Sequence, residues 1–214
     1  MLPAHARIIS CPHCGGEKEI MSLMSGNTFG AEQWSDAKFI APMLPQPSPV
    51  QKCPHCGKYY FMPFYQETRE SDNYWGEQGL LNYLEWKEAY HQFCENFESP
   101  ENICKVNRIK LNNVRFWILQ SYNDYYYREN NGQPSAEEFE FVKSMVVKFI
   151  EEKTEDVNPL MKAEMYREIN EMQKCLEMLS NISYEQLNES QKRIYCEIKE
   201  RMEKSDNRIF RLKQ

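Results

Sequence analysis

The chain has no apolar run that approaches the roughly 18 residues of a membrane-spanning helix, although 41% of its 214 residues are hydrophobic. Its first nine residues have too little positive charge and too short an apolar stretch for a secretory signal peptide. These two absences predict a cytoplasmic protein with no membrane segment. Its eight cysteines are then expected to be thiols or metal ligands, because the cytosol keeps thiols reduced.

The chain also lacks an excess of positive charge, since 26 Lys and Arg stand against 32 Asp and Glu. The first 66 residues hold five basic and four acidic side chains, so the negative charge lies almost wholly in the remainder. Nucleic-acid binding needs clustered Lys and Arg that displace counterions from phosphates. No nucleic-acid partner is therefore expected.

One pentapeptide, Cys-Pro-His-Cys-Gly, occurs twice in the chain, at Cys11–Gly15 and at Cys53–Gly57. In a Cys-x-x-Cys turn both thiolates can hold one metal ion while backbone N–H groups point toward the sulfurs. The glycine suits a left-handed backbone position, and the proline stiffens the turn. The sequence therefore predicts one structural zinc ion per chain with four cysteine ligands: Cys11, Cys14, Cys53 and Cys56.

The histidines of the two pentapeptides are predicted not to bind the metal. Each lies between the two cysteines of its own turn, where its side chain projects away from a metal held by both neighbours. We expect His13 and His55 to face solvent. The other cysteines lie on or beside apolar helical faces and are predicted to be buried thiols: Cys94, Cys104, Cys175 and Cys196.

Both Cys-Pro-x-Cys-Gly turns resemble the knuckles of zinc-ribbon and rubredoxin-like proteins, over residues 6–64. The resemblance implies four equivalent cysteine ligands and a structural zinc. Rubredoxin-like electron carriers hold iron with similar knuckles, so an iron redox carrier remains an alternative.

Between Cys14 and Cys53 lie 38 residues, more than the roughly 15–20 of a compact ribbon, so the ribbon carries an insert. Four proline residues in positions 42–49 predict a stiff connector before the second knuckle. Phe29 and Trp34 in the insert are expected to complete a small core. The β-prone runs that predict a small antiparallel sheet are Ala6–Ser10, Glu19–Leu23, Lys38–Ala41 and Tyr59–Phe64.

From about residue 77 the apolar residues recur at spacings of three and four, which predicts helices that pack as antiparallel hairpins. The residues predicted to begin successive helices after the first are Ser99-Pro100, the capping box Ser135–Glu138, Asn158-Pro159 and Ser183–Gln186.

Residues 162–182 resemble one tetratricopeptide hairpin, on the positions Ala163, Tyr166, Asn170, Met172, Cys175 and Leu179. The resemblance implies a concave protein-binding surface, with Asn123 and Arg167 as exposed contact residues and a left-handed turn at Asn170. Asn170 stands where the family usually has Gly, and no 34-residue period covers residues 80–157. A degenerate repeat or an unrelated α-hairpin is the alternative.

Together these patterns predict an α+β, mostly α fold, with a zinc ribbon at residues 1–66 and an all-α domain of tetratricopeptide-like helical hairpins at 67–214. No Cys/His pair, phosphate loop or other catalytic motif occurs, so no catalytic or cofactor-binding residue is predicted besides the metal ligands. The expected function is a non-catalytic zinc-binding scaffold or interaction module with a protein partner. An enzyme with an unrecognised site at the domain junction is a further alternative.

Overall fold

The structure, a computed structural model, describes residues 1–63, 68–96, 105–152 and 157–212. The chain forms two compact units. The first contains Met1–Glu32 and Ile40–Asn102, and the second contains Gln33–Phe39 and Ile103–Gln214. Short antiparallel strands precede six α-helices among the described residues, which confirms the α+β, mostly helical class. Within those residues, no helix is both long enough and apolar enough to cross a membrane.

The strands form four small sheets. The largest has the order β3-β2-β9, and the others pair β1 with β4, β5 with β6 and β7 with β8. The strands are β1 Leu2–Pro3, β2 His5–Ser10, β3 Glu17–Ile20, β4 Leu23–Ser25, β5 Glu32–Gln33, β6 Phe39–Ile40, β7 Val50–Lys52, β8 Tyr59–Phe61 and β9 Arg69–Tyr74. Five of them, β2, β3, β4, β6 and β8, overlap the predicted β-prone runs, and β9 lies outside all of these runs.

The first unit extends beyond residue 66 because β9 and the first helix, α1 (Tyr83–Asn96), pack onto the ribbon strands. Strand β9 pairs antiparallel with β2. The Gln92 side chain accepts a hydrogen bond from the Tyr59 N–H (2.9 Å) and donates one to the Tyr59 carbonyl (2.7 Å). The rings of Phe61 and Phe93 stack at 4.8 Å. Side chains of α1 thus satisfy the outer backbone groups of the ribbon.

The second unit contains five helices: α2 Lys105–Asn123, α3 Ala136–Glu152, α4 Pro159–Glu168, α5 Met172–Ser180 and α6 Glu189–Glu203. Helix α2 continues into a π-helical turn, Asp124–Arg128. Two predicted helix starts are confirmed. Ser135 and Glu138 form a capping box at α3, and Asn158 caps α4 by accepting from the Leu160 N–H at 2.9 Å. The predicted start at Ser99-Pro100 lies outside the described residues.

The predicted start of the last helix at Ser183 is wrong. Ser183 precedes a single 3₁₀ turn and its side chain makes no cap. Helix α6 begins five residues later, where Asn188 accepts from the Gln191 N–H at 2.9 Å and Gln191 accepts from the Asn188 N–H at 3.0 Å. This reciprocal box satisfies two backbone donors at once, which explains why it outcompetes the Ser183 position.

Helices α4 and α5 form a hairpin whose turn residue, Asn170, has φ of 60°, as predicted. A short polar side chain tolerates this left-handed conformation better than most residues do. Helix α6 packs against both helices of the hairpin. Their shared core is Leu160, Ala163, Cys175, Leu179, Ile198 and Phe210.

Asn123 and Arg167 are buried, with exposed fractions of 1% and 0%, so their prediction as solvent-facing contact residues is wrong. Arg167 donates to both carboxylate oxygens of Glu164 (2.8 and 2.6 Å) and to the Arg208 carbonyl at 3.0 Å. This face of α4 therefore holds the C-terminal segment of the chain.

Residues 33–39, here named the insert tip, belong to the second unit although they lie in the sequence between the two knuckles. Asp36 is fully buried there. Its carboxylate pairs with Arg128 and accepts from the Asn123 amide at 3.0 Å. Gln120 donates to the Asp36 carbonyl at 3.0 Å. The tip is thus part of the buried polar interior of the helical unit.

The two aromatic residues of the insert differ in environment. Trp34, in the insert tip, is half-buried and lies 4.8 Å from the Arg128 guanidinium. Phe29, in contrast, is 84% exposed, so its expected place in a core is wrong.

Candidate metal centre

Each Cys-Pro-His-Cys-Gly turn closes a β-hairpin, and the two hairpins have the same geometry. Strands β2 and β3 pair Ser10 with Glu17, while β7 and β8 pair Lys52 with Tyr59. The first cysteine of each turn donates its N–H at 2.9 Å to the carbonyl five residues later, that of Gly16 or Lys58. The glycines of the two turns, Gly15 and Gly57, have the same φ of 71°. The sequence repeat is therefore a structural repeat.

The four sulfurs lie together. Cys11 Sγ is 3.8 Å from Cys56 Sγ, and Cys14 Sγ is 3.6 Å from Cys53 Sγ. All four ligand atoms lie within 4.8 Å of one another. These separations far exceed the roughly 2.05 Å of a disulfide. A tetrahedron with Zn–S bonds of about 2.3 Å has edges of about 3.8 Å, so the sulfur positions fit a four-coordinate metal ion.

Backbone N–H groups point at the sulfurs in both turns. The His13 N–H lies 3.4 Å from Cys11 Sγ, and the His55 N–H lies 3.4 Å from Cys53 Sγ. Such donors favour the thiolate over the thiol. Each turn therefore supplies a backbone donor to its buried sulfur.

Hydrogen bonds and burial shift the pKa values of Cys53 and Cys14 in opposite directions. Burial opposes ionisation of Cys53, but the N–H groups of Cys56 and His55 and the neighbouring thiols lower its pKa to about 6. At Cys14 the Gly16 N–H also favours the thiolate, yet desolvation and the other three thiols outweigh it and raise its pKa to about 12. The raised pKa keeps the Cys14 thiol protonated at neutral pH when no metal is bound. A bound dication would instead favour the Cys14 thiolate.

The site has a buried and an exposed side. Cys11 and Cys53 are buried, whereas Cys14 and Cys56 are exposed. The buried cysteines pack in a small cluster with three apolar or aromatic residues, Ile9, Ile20 and Tyr60. These buried side chains come from both hairpins, so the two hairpins share a small core next to the sulfurs. Since all four donors come from protein, a tetrahedral ion here would have no open coordination position.

Neither histidine of the turns belongs to the sulfur cluster, and both are exposed. Each ring instead reaches across to the other hairpin. His13 Nε2 lies 3.4 Å from the Tyr59 carbonyl oxygen, and His55 Nε2 lies 3.2 Å from the Glu17 carbonyl oxygen. No local sequence signal indicates these contacts, because each joins residues about 40 positions apart or more.

The remaining cysteines are not gathered into a second site within the described part of the chain. Cys175 is buried, as predicted, but Cys94 and Cys196 are exposed. Cys104 lies outside the described residues.

The second unit has a groove of about 700 Å³ beside α6. Its apolar side chains include Trp34, Ile194, Phe210 and Leu212, and its charged side chains come mainly from α6. Arg193 on the rim is exposed and has no ion pair within the described residues. The volume lies within the range of about 300–1,000 Å³ typical of ligand sites.

Comparison with known proteins adds no relative to this picture. No protein-family profile, no curated protein and no solved structure matches the chain. The assignment of the site therefore rests on its own geometry, which is that of a four-cysteine cluster consistent with a zinc-ribbon-like metal site.

Proposed function

We propose that the chain is a non-catalytic protein in which Cys11, Cys14, Cys53 and Cys56 hold one structural zinc ion. The observation that supports this most strongly is the placement of four sulfurs within 4.8 Å of one another at tetrahedral spacing. Four protein ligands leave no coordination position for a substrate, which is the arrangement of structural zinc and not of catalytic zinc.

Metal analysis of freshly purified protein tests the proposal. We expect close to one zinc per chain, and loss of the zinc from a Cys53→Ser/Cys56→Ser double variant. A Cys94→Ser/Cys196→Ser variant is the matched control, because it removes two exposed thiols outside the cluster. Protein without zinc, or full zinc retention in the first variant, contradicts the proposal.

Iron in the same site is the second candidate, because the same four-thiolate donor set suits either metal. The two are easily distinguished. An iron-bound protein is red and bleaches on reduction, whereas the zinc protein that we propose is colourless.

We further propose that the helical unit binds a partner protein through the groove beside α6. Its apolar lining and the exposed Arg193, which has no ion pair in the described part of the chain, support an apolar-tipped peptide with an acidic side chain as the bound segment. The α4–α5 hairpin, which resembles a tetratricopeptide hairpin, would then act as the support for this surface.

Quantitative capture from native cells tests the partner proposal. A partner retained by the wild type should be lost by Arg193→Glu and kept by Lys199→Glu, since Lys199 is also an exposed cation of α6 but does not line the groove. Equal capture by both variants would reject the groove as the binding surface.

A further inference from the structure

The two turn histidines occupy equivalent positions and make equivalent contacts. Each histidine follows the first cysteine of its turn by two residues, and each contacts the carbonyl that follows the first cysteine of the other turn by six. The two hydrogen bonds join corresponding positions of the two repeats, so neither is an isolated feature of one hairpin. The repeated sequence thus produces a pair of reciprocal cross-hairpin contacts.

Strand geometry explains why these two carbonyls can accept a hydrogen bond from the other hairpin. In an antiparallel hairpin, paired residues alternate between hydrogen-bonded and non-hydrogen-bonded pairs. Because Cys11 bonds Gly16 and Cys53 bonds Lys58, the next pairs, which contain Glu17 and Tyr59, are the non-bonded kind. Their carbonyls point away from their own hairpins. A carbonyl only accepts, so each histidine Nε2 carries the proton that it donates.

We propose that His13 and His55 are positioning residues that clamp the two hairpins together and so hold the four sulfurs at metal-binding distance. The proposal rests on the proposed zinc function and extends it to residues outside the ligand set. Groups that orient ligands in this way typically change metal affinity by about 10–100-fold when removed.

The two contacts are unequal, which makes the proposal specific. His55 makes the shorter hydrogen bond, 3.2 Å, and packs on Gly16, where an added Cβ would lie 2.8 Å from the His55 Cγ. His13 makes a 3.4 Å bond to a carbonyl that already accepts from Gln92 at 2.7 Å. His55 should therefore be the more important of the two.

Zinc affinity, measured by competition with a chelator, tests the clamp in the full-length protein. We expect His55→Ala to weaken zinc binding about tenfold or more, and His13→Ala to weaken it less. His55→Gln should restore most of the affinity, because the glutamine Nε2 can donate in place of the imidazole Nε2. His91→Ala, which removes an exposed imidazole from α1, is the control and should leave affinity unchanged.

A double-mutant cycle with Gly16 separates this clamp from a general loss of stability. Gly16 does not have a positive φ, so alanine is allowed by its backbone and acts only by displacing the His55 ring. Gly16→Ala should weaken zinc binding in the wild type and have no further effect in His55→Ala. The visible spectrum of the Co²⁺-substituted protein should shift in the same variants, because it reports the arrangement of the four sulfurs.

The outcomes distinguish the clamp proposal from the zinc proposal. If the wild type binds zinc and His55→Ala binds it within twofold of the wild type, the clamp is rejected and the zinc proposal stands. Equal effects of Gly16→Ala with and without His55 also reject the clamp. A wild type that binds no zinc removes both proposals.

Discussion

The carboxylate of Asp36 has no contact with water, and its charge is balanced within the second unit by Arg128 and by the Asn123 amide. A charge taken out of water is tolerated only where its partners are fixed. The Asp36–Arg128 pair is therefore more sensitive to the loss of one member than an exposed ion pair of the same geometry.

Asp36→Ala should destabilise the second unit by about 1–3 kcal/mol, because it removes one of the two carboxylates that pair with the buried Arg128 guanidinium, the other being that of Asp124 at 2.6 Å. Urea unfolding followed by the helical circular dichroism signal measures the change. Asp72→Ala, which removes an exposed carboxylate, should change stability by less than about 0.5 kcal/mol. A loss below about 1 kcal/mol for Asp36→Ala would contradict the buried-pair interpretation.

Glu168 is a buried carboxylate of this interior that forms no salt bridge among the residues that the structure describes. It accepts one hydrogen bond from Asn123 at 2.9 Å, and its other oxygen has no partner within the described residues. Burial, followed by the nearby charges of Glu164 and Asp36, raises its pKa well above the ordinary range. The folded protein thus binds a proton at Glu168 more tightly than the unfolded chain does.

It follows that Glu168 contributes stability below its unfolded pKa of about 4.3, and that this contribution is lost as the pH rises through the folded value. Glu168→Gln should therefore stabilise the protein by about 1–3 kcal/mol at pH 7, and the gain should shrink toward pH 5. Urea unfolding at several pH values measures it. Glu177→Gln, at an exposed position of α5, should give no such gain. A gain independent of pH would refute the assignment.

At the scale of single elements, the start of α6 depends on Asn188. Asn188→Ala removes a capping box and should reduce stability by about 0.5–2 kcal/mol. Ser183→Ala is a matched control, since Ser183 lies five residues earlier and caps no helix. Thermal unfolding of both variants compares them directly. If Ser183→Ala were the more damaging, the assigned start of α6 would be incorrect.

Elements encoded by short-range patterns could be predicted from the sequence. Both knuckles, the Ser135 box and the Asn158 cap depend on residues within five positions of one another, so local spacing is sufficient to identify them. At Ser183 the same reasoning failed because two similar Ser/Asn-x-x-Gln patterns lie five residues apart. The spacing does not indicate which of the two forms the reciprocal hydrogen bonds, and in the structure it is Asn188 that forms them while Ser183 makes no side-chain cap.

Elements defined by distant partners could not be predicted. Strand β9 has the sequence Arg-Glu-Ser-Asp-Asn-Tyr, without the alternation of apolar residues that indicates a strand, and it forms because β2 has an open edge. Asn123 and Arg167 look like surface residues, yet Asn123 donates to Asp36 and Glu168. Arg167 donates to the Arg208 carbonyl as well as to nearby Glu164, so both residues have partners about 40 or more positions away. Polar burial of this kind leaves no periodic signal in the sequence.

At the scale of the whole molecule, removal of the metal should affect the two units differently. We expect chelation to abolish amide-exchange protection in the ribbon strands and in α1, while α2–α6 remain protected, because only the first unit depends on the sulfur cluster for its core. Hydrogen exchange followed by mass spectrometry measures this. Persistent protection of α1 would place the boundary near residue 66, and loss of protection throughout would show that the units are not independent.

The insert tip is synthesised long before the helices that it packs against. A ribosome releases both knuckles and the tip well before it has made the helices that receive the tip, since Arg128 follows Asp36 by 92 positions. At a synthesis rate of about 5–20 residues per second, roughly 5–20 seconds pass between the synthesis of Asp36 and that of its partner Arg128. The two knuckles can bind the proposed metal ion during that interval. The helices of the second unit then fold onto the insert tip, which was synthesised before them.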